Sequence, residues 1–341
     1  MTIRQLAVAT IAACTFISSA FAAEITLKAS HNANQDEPYH VGMDRMSELL
    51  EEKTDGQATI EVYPNAQLGD EMESIQGTQL GTVDIAVTAD AVLANSVPSL
   101  SVFSLPFLFQ SPEHMDAALR DPQVLEYVNE LLSQKGFRLL GLFSAGTRHI
   151  MSVEPVEAMA DLQDMKIRTM QNPSHIDAFR AFGANPTPIP YTELYGALET
   201  GVVDGAEAAN TNYHSKNFYE VAPNWALIGW LELVAPVIMG EQRFQQLPED
   251  VQTALLEAGQ EAAQYEREAY RQSDKERLDM LGKEGVNITV LDPEPFREAA
   301  EAVYEQHVDT EEEKRLLELI RSSDKASGSE ASDAGKASAE Q

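Results

Sequence analysis

The chain has 341 residues, and 24 basic against 55 acidic side chains give it a formal net charge of −31. A surface this acidic repels nucleic acid and anionic lipid, which argues against both as partners. A single cysteine, Cys14, leaves no pair for an internal disulfide and no cysteine metal site.

The first residues predict export. A positive charge at Arg4, an apolar run over about 6–17 and an A-x-A pattern ending at Ala22 occur in the order of a secretory signal. The apolar run is too short to span a bilayer permanently. We therefore predict that residues 1–22 are a signal peptide and that the mature protein is periplasmic, without direct insertion into a membrane. A lipoprotein cleavage box that ends at Cys14 leaves a lipidated protein as the alternative.

The mature chain opens with alternating strands and helices. Apolar and polar residues alternate over 25–29 and 58–62, which indicates half-buried strands. A helical pattern lies between them, a second helix is predicted over about 70–80, and further strands are predicted over 84–88 and 137–143. This order is typical of a mostly parallel sheet with helices on its faces.

The pattern restarts in the second half of the chain. A short strand is predicted over 165–169, followed by helices over 173–183 and 191–200. The helix-to-strand segment at 80–86 also resembles the one at 200–206, 120 residues later. Two similar α/β lobes would produce such a faint internal repeat.

A long helix and a polar tail complete the predicted elements. Residues 247–282 have a helical pattern almost without a break, and a helix of that length is roughly 50 Å long at 1.5 Å per residue. It exceeds one small domain, so we expect it to run across both lobes. The segment 321–341 is rich in Ser, Ala and Gly and has too few bulky apolar residues to fold, which predicts a disordered tail.

Local sequence motifs of common enzymes are missing from the chain. No G-x-x-x-x-G-K-[ST], G-x-G-x-x-G, H-E-x-x-H or G-x-S-x-G occurs, and the seven histidines show no close metal-ligand spacing. Enzyme sites that depend on local spacing are therefore absent, and we expect no enzyme activity, no cofactor and no metal. An exported hydrolase or lyase with a dispersed carboxylate site is the alternative.

Two arginines are candidate ligand residues. Strand alternation places Arg168 on the face opposite Ile167, shortly before the turn at 171–173, and ligands of α/β lobes lie at the carboxyl ends of strands. A guanidinium can hold a carboxylate with two hydrogen bonds. Arg148 follows the last predicted strand of the first half and would lie near a hinge. From the residues alone, a surface ion pair for Arg168 and a loop salt bridge for Arg148 are equally good interpretations.

Four stretches of the chain carry a family resemblance. They are YPNAQLG at 63–69, VFSLPFLF at 102–109, MKIR at 165–168, and NPTPIPY at 185–191 continuing to VDGAE at 203–207. Together they resemble the periplasmic binding subunit of tripartite ATP-independent periplasmic (TRAP) transporters, of the dicarboxylate- and sialic-acid-binding type. The resemblance covers roughly residues 24–320.

The resemblance implies a fold and a division into lobes. The fold class is α/β, the two-lobed periplasmic binding protein fold, in which two α/β domains are joined by crossing strands and braced by one long helix. Lobe I would comprise 24–147 and 233–275, and lobe II would comprise 148–232 and 276–320. The ligand would lie between the lobes, which close over it by a hinge motion.

The resemblance also implies a function. The protein would capture a small organic acid, most closely a sugar acid such as a uronate or an aldonate, and deliver it to the membrane permease subunits of a TRAP transporter. It would act as a monomer. A binding protein that feeds a sensor kinase is a further alternative.

Particular residues match the family pattern. Arg168 falls on the arginine that grips the ligand carboxylate, and Arg148 falls on a second arginine seen in many members. Asn32 falls on a polar contact from the first lobe, and Tyr191 on an aromatic ring that packs under the ligand.

The chain departs from the family pattern at one position. Many relatives have an asparagine directly after the Asp-Gly-x-Glu stretch, where this chain has Ala208, so either Asn210, Asn212 or Asn172 replaces that contact or the contact is lost. Positions that vary with substrate in the family hold Trp230 and Glu232, for which a core tryptophan and a solvated glutamate are the alternatives. The full set of candidate ligand residues is Arg168, Arg148, Asn32, Tyr191, Asn210, Asn172, Glu207, Trp230 and Glu232.

Overall fold

The structure, a computed structural model, describes residues 25–323. Its strands are β1 (Ile25–Ser30), β2 (Ala58–Tyr63), β3 (Ile85–Val87), β4 (Phe137–Ser152), β5 (Lys166–Thr169), β6 (Asn185–Pro188), β7 (Gly205–Ala208), β8 (Asn224–Gly240) and β9 (Asn287–Val290). Its α-helices are α1 (Pro38–Lys53), α2 (Glu71–Leu80), α3 (Asp90–Leu93), α4 (Pro112–Arg120), α5 (Pro122–Ser133), α6 (Pro173–Ala181), α7 (Leu194–Glu199), α8 (Asn210–Ser215), α9 (Glu241–Gln245), α10 (Glu249–Lys283) and α11 (Glu294–His307). A last helix, α12, covers residues 311–323, and 3₁₀ turns cover Pro98–Ser104, Met159–Leu162, Tyr191–Glu193 and Phe218–Glu220.

Both ends of the chain extend beyond these residues. The predicted signal peptide, with Cys14, lies outside the described residues, as does the predicted tail from 324 onward. Residues 321–323, the first three of that tail, are helical rather than disordered. The Ser323 hydroxyl donates to Asp121 (3.1 Å) and to the carbonyl of Leu319 (3.0 Å), which holds the end of α12 in place.

The sheet is mixed rather than mostly parallel. Its strands follow the order β2-β1-β3-β8-β4-β7-β5-β6, with β9 paired to β8. The pairs β1–β2 and β1–β3 are parallel as predicted, and β5–β6 and β5–β7 are parallel too, but β3, β4, β7 and β8 meet in antiparallel pairs. The prediction missed this because two long strands, which run in opposite directions, form the centre of the sheet.

These long strands, β4 and β8, join two lobes. The end of β8 pairs with β3 and with the start of β4, whereas the end of β4 pairs with β7 and the start of β8 pairs with β9. We call the β1–β3 end lobe I and the β5–β7 end lobe II. The predicted crossing strands are thus confirmed, and the strand predicted over 137–143 continues to Ser152. The small residues after 143 read as a loop in the sequence, but pairing with β8 makes them part of the strand.

The pairing of β4 with β8 is irregular where the lobes meet. The register shifts between Ser144 and Thr147 and again between Arg148 and Ile150. Gly146 adopts a φ of 78°, and an added Cβ there would collide with the Tyr270 ring of α10. The predicted lobe boundaries at 147/148 and 232/233 fall at this stretch and stay a prediction.

Helix α2 shows how local sequence positions a side chain in lobe I. Asp70 and Glu73 form a capping box, in which each side chain accepts a hydrogen bond from the backbone N–H of the other. Gly81 ends the helix in the left-handed region with a φ of 75°. An N-cap of this kind contributes about 1 kcal/mol, and it places Glu71 at the first helical position, beside the cleft.

The helices predicted in lobe II are shorter in the structure. Helix α6 ends at Ala181, and the helix predicted over 191–200 is divided into a 3₁₀ turn and α7. Pro190 precedes the 3₁₀ turn and presents no N–H to it. The core of this lobe includes Tyr213 stacked on Trp225, with ring centroids 4.1 Å apart.

The long helix α10 braces both lobes, which confirms the prediction. It packs closely on β4, where an added Cβ on Gly259 would collide with the Leu140 carbonyl. Near its start Lys53 of lobe I pairs with Glu261 (2.7 Å), and near its end Asp274 accepts from the backbone N–H of Thr211 in lobe II (2.9 Å). No helix among residues 25–323 is long and apolar enough to cross a membrane.

The last two helices lie on different lobes. Helix α11 packs on α6 of lobe II, where His307 contacts Asp177 (2.9 Å). Helix α12 lies against lobe I, where Glu312 accepts from Ser99 (2.5 Å). Residues 311–320, predicted to belong to lobe II, therefore lie on lobe I.

Candidate ligand-binding cleft

A small polar cavity lies between the lobes. It has a volume of about 30 Å³, and it is lined by Asn32, Tyr39, Glu71, Ala89, Ala145, Arg148, Arg168, Met170, Tyr191, Asn212 and Leu233. Three of these residues lie just after a strand: Asn32 is the second residue after β1, Ala89 the second after β3 and Met170 the first after β5. The cavity thus occupies the position where α/β folds bind ligands, at the carboxyl ends of their parallel strands.

Arg168 is buried in this cavity with much of its hydrogen-bonding capacity unused. Only 2% of the residue is exposed. Its Nε donates to the carbonyl of Ile189 (2.8 Å) and one Nη1 hydrogen to Glu207 (3.4 Å). The other three of its five N–H groups have no hydrogen-bond partner among residues 25–323. Its guanidinium also lies over the Tyr191 ring, 5.9 Å from the centroid.

Arg148 is buried beside Arg168, and four of its five N–H groups already have hydrogen-bond acceptors. Nε donates to the Glu207 carboxylate (2.7 Å) and Nη2 to the Glu207 carbonyl (3.3 Å). Nη1 donates to the Ala145 carbonyl (3.1 Å) and to Asn212 (3.2 Å). Burial alone would lower the pKa of Arg148, but the adjacent Glu207 carboxylate outweighs burial and raises it.

Glu207 connects the two arginines. Its side chain has no solvent exposure and accepts from Arg148 with one oxygen and from Arg168 with the other. Burial opposes its ionisation, but the two guanidinium groups lower the pKa of Glu207 below its ordinary value. Two guanidinium groups against one carboxylate leave one positive charge in excess at this end of the cavity.

Two further carboxylates lie near the cavity, and the sequence analysis missed both. Glu71 accepts from the N–H of Ala89 (2.7 Å), and Glu37 accepts from the N–H of Asn34 (2.8 Å) and from the Asn212 amide (2.7 Å). Burial raises the pKa of both carboxyl groups. Their sequence signal is weak: Glu71 is the first residue of α2 and Glu37 holds the N-cap position of α1, where acidic residues are common for structural reasons.

The structure brings five of the predicted residues together. Asn32, Arg148, Arg168 and Tyr191 line the cavity, and Glu207 lies behind the two arginines. The Tyr191 hydroxyl is buried and has no hydrogen-bond partner among the residues that the structure describes. Asn212, one of the weighed replacements for the family asparagine, also lines the cavity.

Four other candidates make contacts elsewhere. Asn210 accepts from the Trp225 indole (2.8 Å), and Asn172 caps α6 while donating to the Ala91 carbonyl (2.9 Å). Trp230 has no exposed surface and packs edge-on against His175 and Phe179 in the core. Glu232 accepts from the Thr147 hydroxyl (2.8 Å), and burial raises its pKa to about 7. The structure brings none of the four to the cavity, because a cap, a core or a strand-to-strand contact already engages each side chain.

Comparison with known proteins identifies the family. Residues 29–311 match the model of bacterial extracellular solute-binding proteins, family 7. The 2,3-diketo-L-gulonate-binding periplasmic protein YiaO of Escherichia coli is 31% identical over 286 residues, which is 83% of this chain and 87% of that protein.

Solved structures agree in fold. A TRAP periplasmic solute-binding protein from Roseobacter denitrificans with bound β-D-glucuronate is 30% identical, with a TM-score of 0.82 over 86% of this chain and 98% of that one. One from Xanthobacter autotrophicus with bound β-D-galacturonate is 27% identical, with a TM-score of 0.83 over 87% and 99%. Because motifs, fold and family model coincide, the chain belongs to family 7 of the bacterial extracellular solute-binding proteins, the TRAP periplasmic type.

Proposed function

We propose that this protein binds a sugar acid, a hexuronate or an aldonate, in the cleft between its lobes and delivers it to the membrane subunits of a TRAP transporter. The observation that carries the proposal is the set of three unused N–H groups on buried Arg168, which lines the cavity. A carboxylate would accept from two of them and would balance the excess positive charge. The uronates bound by the related structures have such a carboxylate.

Arg148 and Glu207 act as positioning residues in this proposal. Four of the five N–H groups of Arg148 are engaged by Glu207, Ala145 and Asn212, which leaves little for a ligand. Glu207 in turn contacts Arg168, so the ion pair sets the direction of the ligand-binding guanidinium. Asn212 lines the cavity and contacts Arg148, so it would supply the amide that Ala208 cannot.

The other cavity walls favour hydroxyl groups over a second carboxylate. Glu71 faces the same cavity as Arg168, and Asn32, Asn212 and the Tyr191 hydroxyl add neutral polar groups. Hydroxyls of a sugar would donate to Glu71. The second carboxylate of an aldarate or a C4-dicarboxylate would instead lie near the Glu71 carboxyl group, with no further cation among the residues that line the cavity to balance it, in a site with little water. We therefore infer a monocarboxylate with a hydroxylated chain.

Ligand entry requires the lobes to separate. The cavity of about 30 Å³ is far smaller than a typical ligand pocket of about 300–1,000 Å³. Polar contacts also connect the lobes across it, such as Asn34 to the Ser215 carbonyl (3.0 Å). Hinge bending at β4 and β8 would open the cleft, and the permease would recognise the closed form. The protein would act in the periplasm as a monomer after removal of its signal peptide.

Thermal unfolding of the mature protein tests the proposal. The panel contains galacturonate, glucuronate, galactonate, the aldarate galactarate, succinate and neutral galactose. A ligand at 100 times its Kd stabilises the fold by about 2.7 kcal/mol, which raises Tm by roughly 4 °C at this size. We expect this shift with a uronate or an aldonate and not with the other compounds. The ligand should be recovered unchanged, because the site binds and does not react.

Two variants make the assay specific. Arg168→Ala should weaken binding by about 100-fold or more, since it removes one partner of a buried charge pair. Arg180→Ala is the matched control, because this arginine of the same lobe is exposed and pairs with Asp177 on the surface. A shift that survives in Arg168→Ala, or one produced by galactose alone, would show that the carboxylate mechanism is wrong.

A further inference from the structure

A second, larger pocket opens beside the cleft. It has a volume of about 390 Å³ and is lined by Asn32, Asn65, Ala66, Tyr191, Thr192, Tyr195, Lys216 and Phe218. We call it the mouth pocket. Asn32 and Tyr191 line both this pocket and the cavity that contains Arg168, so the two spaces adjoin. In this conformation the inner cavity measures only about 30 Å³, so the mouth pocket is much the larger of the two spaces.

Aromatic rings of lobe II form one wall of the mouth pocket. Tyr195 stacks on Phe218 with ring centroids 6.4 Å apart and planes 29° apart, and Tyr191 meets Phe218 edge-on at 6.0 Å. The Tyr195 hydroxyl donates to Glu220 (3.1 Å), which fixes the ring in this orientation. The wall is therefore a preformed aromatic surface beside the cleft, suited to the C–H face of a pyranose ring.

Polar groups form the opposite side and hold the pocket together. The Lys216 ammonium of lobe II donates to the Asn32 carbonyl (3.1 Å), to Asn34 (2.6 Å) and to Asn65 (3.0 Å), all in lobe I. These three bonds use its three N–H groups and connect the lobes at the edge of the pocket. The mouth pocket therefore combines a wall from each lobe, and its shape persists while the lobes are closed.

We propose that the mouth pocket is a second subsite, which takes the second sugar ring of a disaccharide acid. This inference rests on the proposed function, because in both proposals Arg168 binds the carboxylate of the first sugar ring. The first ring occupies the inner cavity once the lobes have separated enough to admit it, and the second ring extends past Asn32 and Tyr191 to pack against Tyr195. The aromatic wall belongs to lobe II alone, so this opening leaves it intact. The ligand class is then a uronate with one further pyranose attached, in addition to the single uronate.

Isothermal titration compares one-ring and two-ring acids on the mature protein. The pairs are galacturonate with galacturonosyl-(1→2)-rhamnose, and glucuronate with cellobiouronic acid, so that each disaccharide adds a neutral ring and no second carboxylate. We expect the disaccharide of at least one pair to bind about 3- to 10-fold more tightly than its monosaccharide, which is the usual gain from one aromatic contact. Tyr195→Ala should remove that gain and leave the Kd of the monosaccharide within twofold. Tyr195→Phe keeps the ring and should retain the gain.

Other outcomes overturn the inference in distinguishable ways. If a monosaccharide binds but both disaccharides bind more than tenfold more weakly, the second subsite does not exist and the proposed function stands. If Tyr195→Ala weakens the two ligands of a pair equally, the aromatic wall serves the fold and not the second ring. If none of the four acids binds, the second subsite is refuted, and if galactonate does not bind either, the proposed function fails with it.

Discussion

Among single residues of the site, Glu207 is the one whose charge depends most on its neighbours. It is a fully buried carboxylate between two buried guanidinium groups, and it pairs with both. Removing one member of a buried ion pair leaves the other charge without compensation, which is far more costly than losing a surface pair. The effect of this residue on the fold and on the ligand can therefore be separated by experiment.

We expect Glu207→Gln to lower the free energy of unfolding by about 3–5 kcal/mol, because Arg148 and Arg168 then lie close together without a negative charge. The glutamine keeps one side-chain oxygen that can accept from Arg168 and hold its direction, and a sugar acid would bring the missing negative charge to the same guanidinium groups. The Tm shift on adding ligand should therefore be larger in the variant than in the wild-type protein. Urea denaturation with and without ligand measures both quantities.

Glu311→Gln serves as the control for that comparison. Its side chain is 92% exposed and pairs with Lys314 on the surface of α12. Surface changes of this kind usually alter stability by less than about 0.5 kcal/mol. Equal stability of Glu207→Gln and Glu311→Gln would contradict the view that the buried carboxylate compensates the arginines.

Among elements, α8 and the residue after it connect lobe II to the first loop of lobe I. Asn212 donates to Glu37, the Ser215 carbonyl accepts from Asn34, and Lys216 donates to three oxygens of lobe I. None of these bonds can persist when the lobes separate. They therefore stabilise the closed arrangement over the open one.

We expect Lys216→Met to shorten the residence time of the bound acid about tenfold, with a smaller change in the association rate. The substitution keeps a long apolar side chain but removes three bonds between the lobes, each contributing about 1 kcal/mol or less after solvation. Stopped-flow kinetics gives both rates, with Lys314→Met in α12 as the control. An unchanged dissociation rate would mean that these bonds do not hold the cleft closed.

The middle of α10 places a buried carboxyl group, that of Glu266, against β4 where the lobes meet. Glu266 has no exposed surface, one of its oxygens accepts from the N–H of Ser144 (2.8 Å), and the other has no partner among residues 25–323. Burial raises the pKa of Glu266 to about 8 from an ordinary value of 4.5. The folded protein therefore keeps a proton on this group that the unfolded chain releases.

This raised pKa predicts how stability varies with pH. Between about pH 4.5 and pH 8 the folded state binds more protons than the unfolded chain, so stability should fall as pH rises through this window. Glu266→Gln should reduce the slope by up to about 1.4 kcal/mol per pH unit. Thermal unfolding from pH 5 to 9 measures it, with exposed Glu268→Gln as the control. An unchanged slope in Glu266→Gln would show that this carboxyl is already ionised at neutral pH.

Secondary-structure elements and the two cleft arginines were predicted from the sequence more completely than the side chains that surround those arginines. Strand alternation and the turn at 171–173 place Arg168 at the end of a strand, where a surface ion pair is an equally good interpretation, and the family resemblance decides between the two. Glu37 could not be found, since its contact with Asn212 joins positions 175 residues apart in the chain. Trp230 and Asn210 do not line the cavity for a related reason: core packing and contacts with α10 decide where a side chain points, and local patterns do not record them.

For the whole molecule, charge opposes the proposed ligand at long range. The formal net charge of −31 repels an anion approaching from solution, whereas the excess positive charge at Arg148 and Arg168 acts only inside the cleft. Salt screens the first effect strongly, because the Debye length falls from about 30 Å at 0.01 M to about 10 Å at 0.1 M. The buried pairs are screened much less.

We therefore expect the association rate of the sugar acid to rise a few-fold as ionic strength increases from 0.01 to 0.3 M. The dissociation rate should stay nearly constant. This is the reverse of the usual behaviour, in which steering by opposite charges makes association slower in salt. Stopped-flow fluorescence over a salt series tests it, and an association rate that falls with salt would show that attraction by the cleft dominates at long range.

The path of the chain between the lobes also bears on how the cleft can move. Along residues 25–323 the chain crosses from one lobe to the other in β4, in β8, in α10 and between α11 and α12. Two lobes joined by a single segment can rotate relative to each other in any direction, whereas four connecting segments leave little freedom beyond bending about one axis. Fluorescent dyes placed on α6 and on α12 would thus follow a single distance coordinate, which makes the protein a suitable frame for an optical sensor of its ligand.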